Sequence, residues 1–195
     1  MTRRVGYGLL LFFVAATLLW IYRPPVPKPA PLVGEYTNGM EITSSAFAEG
    51  GMIPSQYTCD LPSGGKNPPL SWSDVPAGAV SLALIMDDPD VPKALKPDGV
   101  FDHWVLYDIN PATKGVGEGE QVGTAGANGA GANAYTGPCP PREYEPSTHR
   151  YIFVLYALDT TLGLPPGTSK HKVLAAIEGH VLAQAQLIGT YKKKQ

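Results

Sequence analysis

The stretch GVFDHWVLYDIN, residues 99–110, has the alternating side-chain pattern of a buried β-strand. Because a strand sends successive side chains to opposite faces, the pattern places His103 with Val105 and Tyr107 and places Asp102 on the other face. A histidine that opens an apolar strand is either a core side chain hydrogen-bonded to a backbone carbonyl or a ligand-binding group. The pattern predicts a strand over residues 103–109 and leaves these two roles for His103 open.

Four further segments are rich in β-branched or aromatic residues and are bounded by Gly, Pro, Asn or Asp, which predicts strands at residues 40–47, 81–86, 150–158 and 186–191. Apolar residues at helical spacing follow Thr168, a plausible N-cap, and predict one helix that ends at about residue 184. The 22 glycines and 20 prolines among 195 residues indicate many turns. We therefore predict an all-β fold with a late helix.

The N-terminus predicts a membrane anchor. Arg3 and Arg4 precede an uncharged apolar run at residues 5–22, which is long enough to cross a bilayer as a helix. We interpret residues 1–22 as an uncleaved signal-anchor helix, with a cleaved signal peptide as the alternative. Residues 23–38 are proline-rich and predict a linker, and residues 39–195 then form the domain. This predicts a single-pass protein of the cytoplasmic (inner) membrane whose domain faces a periplasm or an extracellular space.

The charge of the chain argues against nucleic acid as a partner. The formal net charge is −2, and the one cationic run lies at residues 192–194, at the extreme C-terminus. Proteins that bind nucleic acid usually carry a basic patch or stripe over the domain. We therefore expect no nucleic-acid partner.

Two other segments place polar groups where strands begin or end. In MDDPDVP, residues 86–92, Asp88 and Asp90 follow a strand, and Pro92 stiffens the loop; the alternative is a polar turn without function. In STHRYIFVLYALD, residues 147–159, His149 shares a face with Tyr151. Two strands that begin with a histidine and an acidic loop that closes a third strand predict the rim of one pocket.

A fourth segment could form a wall of this pocket. Gly137-Pro138 combines a residue without a side chain and one with a fixed φ, a pair that makes a stiff wall at which a ligand can approach the backbone. The Gly/Ala/Asn-rich run before it, residues 123–135, has the composition of a mobile loop, which is the alternative interpretation.

The motifs DDPDVP, DHWVLYDI, GPCPP and HRYIFVLYAL, in this order, resemble the phosphatidylethanolamine-binding protein family, in particular its bacterial, Raf kinase inhibitor-like branch. The resemblance covers about residues 40–191. It implies a two-sheet β fold with short peripheral and C-terminal helices and one cavity that binds a small anion or a phospholipid head group. The positions that match the family's pocket are Asp88, Asp90, Pro92, His103, Gly137, Pro138, His149 and Tyr151.

The resemblance also assigns roles to these side chains. His103, His149 and the Tyr151 hydroxyl would donate hydrogen bonds to an anionic oxygen, and each charge-assisted bond contributes about 1.5–3 kcal/mol. A carboxylate cannot favour a phosphate dianion, so Asp88 would orient His103 or accept from a ligand amine or a protonated oxygen.

Three functions compete for this pocket. We expect non-catalytic binding of a small phosphorylated ligand, with no cofactor, and a protein partner such as a protease or a kinase is the alternative. A hydrolase that uses Asp88, His103 and His149 is less well supported, because the chain has no Gly-x-Ser-x-Gly motif. A metal site built from the same three residues lacks any His-x-x-x-His or Cys-x-x-Cys spacing, so we expect no metal.

The two cysteines are candidates for a disulfide. Cys59 and Cys139 form an even count, as oxidising compartments favour, and each lies beside proline or a polar turn. A bond between them would close a loop of about 80 residues and tie an upstream turn to the Gly137-Pro138 wall. Two separate reduced thiols are the alternative.

Overall fold

A computed structural model describes residues 39–61 and 63–194 of the chain. The predicted anchor (residues 1–22) and linker (residues 23–38) lie outside the described residues. The elements are β1 (Glu41–Thr43), a short 3-10 helix (Ser55–Tyr57), β2 (Leu70–Ser73), β3 (Ser81–Asp88), β4 (Phe101–Ile109), β5 (Gly115–Val116), β6 (Thr124–Ala125), β7 (Thr148–Leu158), α1 (Lys170–Ile177) and β8 (Val181–Lys192).

The localisation prediction needs a correction. Among residues 39–61 and 63–194, no helix is long and apolar enough to span a bilayer. The longest described helix, α1, has eight residues, whereas a spanning helix needs about 20. The apolar run that suggested the anchor lies outside the described residues, so no described helix supports it. The prediction of a single-pass inner-membrane protein with an outward-facing domain is therefore wrong as stated.

The described strands form two antiparallel sheets. One sheet has five strands in the order β6-β4-β3-β7-β8, and the other has three in the order β1-β2-β5. The prediction of an all-β, two-sheet fold with short helices is confirmed. The long strands β7 and β8 extend beyond the predicted segments, whereas the predicted strand at residues 40–47 shortens to β1.

The five-stranded sheet is buried on both faces. One face packs against the three-stranded sheet, through side chains such as Leu84, Leu106 and Phe153 against Ile42 and Trp72. The other face packs against α1 through a smaller apolar cluster of Ala83, Val105, Tyr107, Leu158, Val173 and Ile177. The first face also leads to the candidate site, where β3 ends and where β4 and β7 begin.

The predicted helix is shorter than its apolar spacing indicates. It begins after Ser169, one residue later than the predicted cap, and ends at Ile177 rather than near residue 184. Gly179 has φ of +83°, a conformation that a residue without Cβ adopts readily, and the chain turns there into β8. Val181 belongs to the strand, because alternation takes over from helical spacing at that point.

His103 points to the opposite face from the predicted one. Met86 pairs with Trp104, but the next residue, Asp87, pairs with Asp102, so His103 is an extra residue in a β-bulge. The bulge reverses the alternation before Trp104. The His103 ring therefore lies against Tyr151, on the face between the sheets, whereas Asp102 faces α1.

Candidate functional site

Three neighbouring strands bring Asp88, His103 and His149 to one edge of the five-stranded sheet. Asp88 is the last residue of β3, His103 lies near the start of β4, and His149 lies near the start of β7. Since β3 is antiparallel to both neighbours, its end and their beginnings meet at the same edge. All three side chains line one cavity of about 580 Å³.

Asp88 and His149 form a buried pair. The Nδ1 of His149 lies 2.7 Å from Oδ2 of Asp88, and the two side chains are 0% and 5% exposed. The other carboxylate oxygen of Asp88 accepts from the backbone N–H of Asp90 at 2.9 Å. The carboxylate therefore fixes the orientation of the His149 ring, and not that of His103. The second ring nitrogen of His149, Nε2, is buried and has no hydrogen-bond partner among the described residues.

His103 is held by the backbone of the cavity wall. Its Nδ1 lies 2.6 Å from the carbonyl oxygen of Thr136, and a carbonyl only accepts, so Nδ1 carries the proton. The backbone N–H of Thr136 donates in return to the carbonyl of His103 at 2.9 Å. Burial lowers the pKa of His103, although the Thr136 carbonyl and the charge of Asp88 oppose this effect. The neutral ring then presents Nε2 as an acceptor.

Tyr151 lies behind the two histidines rather than in the cavity wall. Its ring meets that of His103 edge to face, with centroids 5.2 Å apart, and its side chain is fully buried. The hydroxyl makes no well-formed hydrogen bond, although Asp88 is close enough that its charge adds to the effect of burial; both raise the pKa of Tyr151.

Asp90 and Pro92 shape the acidic loop without lining the cavity. Asp90 accepts a bidentate interaction from the guanidinium of Arg150, at 2.9 and 2.7 Å, and a bond from the backbone N–H of the same residue at 2.9 Å. These bonds lower the pKa of Asp90. The carbonyl of Pro92 accepts from the N–H groups of Leu95 and Lys96. Both residues hold the loop that brings Lys96 to the cavity.

Gly137 lines the cavity, but its own chain explains why it is glycine. A Cβ there would lie 2.5 Å from the Gly64 carbonyl oxygen and 2.9 Å from the Thr58 Cα, so the 57–64 segment leaves no room for a side chain. The Pro138 carbonyl accepts from the N–H of Cys59 at 3.1 Å. A disulfide joins the same two segments covalently: Cys59 is bonded to Cys139, with Cα atoms 5.4 Å apart.

The glycine-rich run is organised by one buried side chain. Asn128 is 5% exposed; its amide donates to the Ala134 carbonyl and the Thr136 hydroxyl, and its oxygen accepts from the N–H groups of Ala130 and Ala132. These four bonds lie between 2.8 and 3.0 Å. The run is therefore a hydrogen-bonded wall, contrary to its interpretation as a mobile loop.

Sequence reasoning missed several residues of the cavity. The lining comprises Asp88, Val91, Leu95, Lys96, Phe101, His103, Gly129, Thr136, Gly137, Cys139, Pro140, Pro141 and His149. Lys96 supplies a cation at the cavity; it pairs with Asp98 at 2.7 Å and is one-third exposed. Phe101 packs on His103 with ring centroids 4.8 Å apart. The loop between β3 and β4 carries two lysines, Lys93 and Lys96, and nothing in the sequence distinguishes the one that lines the cavity.

The lining of the cavity combines polar and apolar side chains. The polar part includes two histidines and the carboxylate of Asp88, and the apolar part includes Val91, Leu95 and two prolines. In the described part of the chain, no group of three or more His, Cys, Asp or Glu side chains has the arrangement of a metal site. Such a cavity can accept a small ligand whose polar group bonds to the histidines.

Comparisons with known proteins agree with this fold. The family model for phosphatidylethanolamine-binding protein matches residues 43–192. A UPF0098 protein of Chlamydia muridarum is 45% identical over 155 residues, which cover 79% of this chain and 99% of the relative. A Mycobacterium tuberculosis relative named "Putative lipoprotein LppC" is 38% identical, with 87% and 82% covered.

A solved structure agrees as well. The crystal structure of a homologue of phosphatidylethanolamine-binding protein from Chlamydia trachomatis matches with a TM-score of 0.74 and 44% identity, and the match covers 80% of this chain and 98% of that chain. The family model spans most of the chain, and the relatives are matched over most of their own length. The chain therefore belongs to the phosphatidylethanolamine-binding protein family.

Proposed function

We propose that the domain binds a small ligand with an anionic, phosphate-type group in the cavity and does not transform it chemically. The observation that carries the proposal is the Nε2 atom of His149, a residue that lines the cavity; the atom is buried and has no hydrogen-bond partner among the described residues. A buried polar group without a partner costs about 1–3 kcal/mol, and a ligand that bonds to it recovers that free energy.

The hydrogen bonds of the two histidines limit what the ligand can be. His149 and His103 both use Nδ1 within the protein, so Nε2 is the ring nitrogen that each has left for a ligand. Burial lowers the pKa of His103, and its neutral ring, with Nδ1 protonated, accepts at Nε2 and cannot donate to an anionic oxygen. The ligand therefore either carries a proton on that oxygen, as a phosphate monoanion does, or brings a proton to a histidine when it binds.

The lining of the cavity also supports a ligand with a short organic group. Lys96 can turn from Asp98 toward a phosphate, because the pair is exposed and exposed ion pairs contribute little, at most about 1 kcal/mol. Val91, Leu95 and two prolines add apolar surface to the lining. A phosphate ester of a small alcohol fits both features better than inorganic phosphate alone.

The absence of catalysis is part of the proposal, and the lining supports it. Cys139, the one sulfur of the lining, is bonded to Cys59, and the Thr136 hydroxyl accepts from Asn128. Cys139 therefore has no free thiol, and no hydrogen bond joins the Thr136 hydroxyl to a histidine in the described part of the chain, so neither has the arrangement of an activated nucleophile. Release of p-nitrophenol from its phosphate or acetate ester that is lost in His149→Ala would contradict this part.

Titration calorimetry of the full chain tests the binding. We expect phosphoethanolamine to bind and ethanolamine, which lacks the phosphate, not to bind. His149→Ala should weaken binding about tenfold or more, since it removes a group that bonds to the ligand. His180→Ala is the matched control, because His180 also pairs with an aspartate but is exposed and outside the cavity lining.

Two outcomes would contradict the proposal. One is equal affinity of a folded His149→Ala protein and the wild type. The other is the absence of binding by phosphoethanolamine, inorganic phosphate and sulfate at millimolar concentration. The same titration is repeated with zinc chloride. Tight zinc binding that is abolished in His149→Ala would point to a metal site instead.

A further inference from the structure

A partly buried ion-pair cluster, whose side chains are 16–29% exposed, lies behind the cavity on the other face of the sheet. The ammonium of Lys170, the first residue of α1, lies 2.9 Å from Asp87 and 2.5 Å from Asp102. Each carboxylate is next in the chain to a cavity residue, Asp87 to Asp88 and Asp102 to His103. The cluster and the cavity therefore lie on opposite faces of the sheet, at the same place along β3 and β4.

Without the lysine, this arrangement is unfavourable. Asp87 and Asp102 are directly opposite each other on neighbouring strands, and like charges at such positions destabilise a sheet. Burial raises the pKa of Asp87, and Lys170 lowers it only in part. Burial alone would lower the pKa of Lys170, but the two carboxylates outweigh it and the pKa is raised. The ammonium thus holds together two carboxylates that otherwise repel.

The same pair of residues begins the bulge that turns His103 toward the cavity. The register changes between the pairs Met86–Trp104 and Asp87–Asp102, so the clamped pair fixes one end of the bulge. The Asp102 carbonyl also accepts from the N–H of Gly129, which belongs to the glycine-rich wall. A shift of Asp102 would therefore move both the His103 ring and the glycine-rich wall, because Asp102 is bonded to each.

We propose that Lys170 is a positioning residue for the ligand cavity: by joining Asp87 to Asp102 it holds the β-bulge that aims His103 at the ligand. The proposal rests on the proposed function only for its effect on affinity. Its effect on His103 itself is present in the free protein.

The cluster also sets the charge near His103. The charged and titratable groups around this ring are Asp88 of β3, Asp102 of its own strand, His149 and Tyr151 of β7, and Lys96 at the cavity. Lys170 contributes a positive charge to this cluster, and Asp87 and Asp102 contribute negative charge. Removal of the lysine takes away positive charge and favours a protonated His103, whereas removal of the Asp102 carboxylate takes away negative charge and disfavours it.

The test combines binding with the ring resonances of His103 in the full chain. Lys170→Met should weaken binding of phosphoethanolamine by between about threefold and thirtyfold, as expected for a residue that acts through another. It should also raise the midpoint of the His103 titration, because a positive charge near the ring is removed. Lys172→Met removes an exposed lysine of the same helix and should change neither quantity. Lys170→Arg keeps the charge and should restore most of both.

Asp102→Asn keeps the lysine and should move the His103 midpoint the other way, downward, so the proposal stays testable if Lys170→Met does not fold. The proposal is overturned if folded Lys170→Met matches Lys172→Met in both readouts, or if Asp102→Asn leaves the midpoint unchanged. Failure of the wild type to bind phosphoethanolamine would instead refute the proposed function, and the His103 midpoints would still decide the role of Lys170.

Discussion

Gly137→Ala tests the close packing of the cavity wall. A Cβ at this position would lie 2.5 Å from the Gly64 carbonyl oxygen, 2.9 Å from the Thr58 Cα and 2.9 Å from the Tyr57 carbonyl oxygen. Ordinary contact begins at about 3.4 Å, so one of the two backbone segments has to move by about 0.9 Å. All three neighbours are backbone atoms, and a change of rotamer cannot relieve the overlap.

The expected cost follows from these distances. Insertion of one carbon into a well-packed site typically costs 1–3 kcal/mol, and the disulfide that ties the two segments together leaves little freedom to relax. We expect the free energy of unfolding to fall by about 2–3 kcal/mol, which lowers the thermal midpoint of a domain of this size by roughly 5–10 °C. Phosphoethanolamine binding should weaken as well, because Gly137 lines the cavity.

Thermal unfolding followed by circular dichroism measures this loss. Gly78→Ala is the matched control: the nearest atom to its Cβ would be Leu182 Cδ1 at 3.6 Å, an ordinary contact, so its stability should change by at most about 0.5 kcal/mol. If Gly137→Ala unfolds at the same temperature as Gly78→Ala, the account of the wall as two locked backbone segments is refuted.

Three further predictions concern the charges and the disulfide. Because burial lowers the pKa of His103, the free ring is neutral near pH 7, and phosphoethanolamine affinity measured by calorimetry should increase as pH falls from 8 toward 5.5; a flat profile in this range would exclude proton uptake by the ring. Asp90→Asn should lower the free energy of unfolding by at most about 1 kcal/mol, since its partner Arg150 is half exposed, and should change the affinity for phosphoethanolamine by no more than about twofold; a tenfold loss of affinity would place Asp90 in the site after all. Cys59→Ser combined with Cys139→Ser should lower the free energy of unfolding by about 2–4 kcal/mol in urea titrations, because the bond closes a loop between residues 80 apart; unchanged stability would contradict a structural role.

The sequence predicted the strands that carry the site correctly, but it predicted the wrong face for the His103 side chain. Alternation identified β4 and β7, and it placed His149 and Tyr151 on the same face. It failed at His103 because a β-bulge adds one residue and reverses the faces, and the pairing register that creates the bulge is a property of two strands together. No pattern within a single segment contains that information.

The wall of the cavity was hidden from the sequence for a related reason. The composition of residues 123–135 is that of a flexible loop, and only the tertiary position of Asn128 reveals that one buried amide makes four hydrogen bonds there. Gly137 lines the cavity, but the reason that it is glycine is the close approach of the 57–64 segment, which the sequence does not reveal. Such contacts between distant segments have no local signal.

The most direct test of the central claim is to follow the ring nitrogens of His103 and His149 by NMR during a titration with phosphoethanolamine. If the two Nε2 atoms bind the phosphate group, both Nε2 resonances shift in proportion to saturation, whereas both Nδ1 atoms stay protonated because Thr136 and Asp88 hold them. Saturation of binding with both Nε2 resonances unchanged would show that the ligand lies elsewhere and would contradict the account.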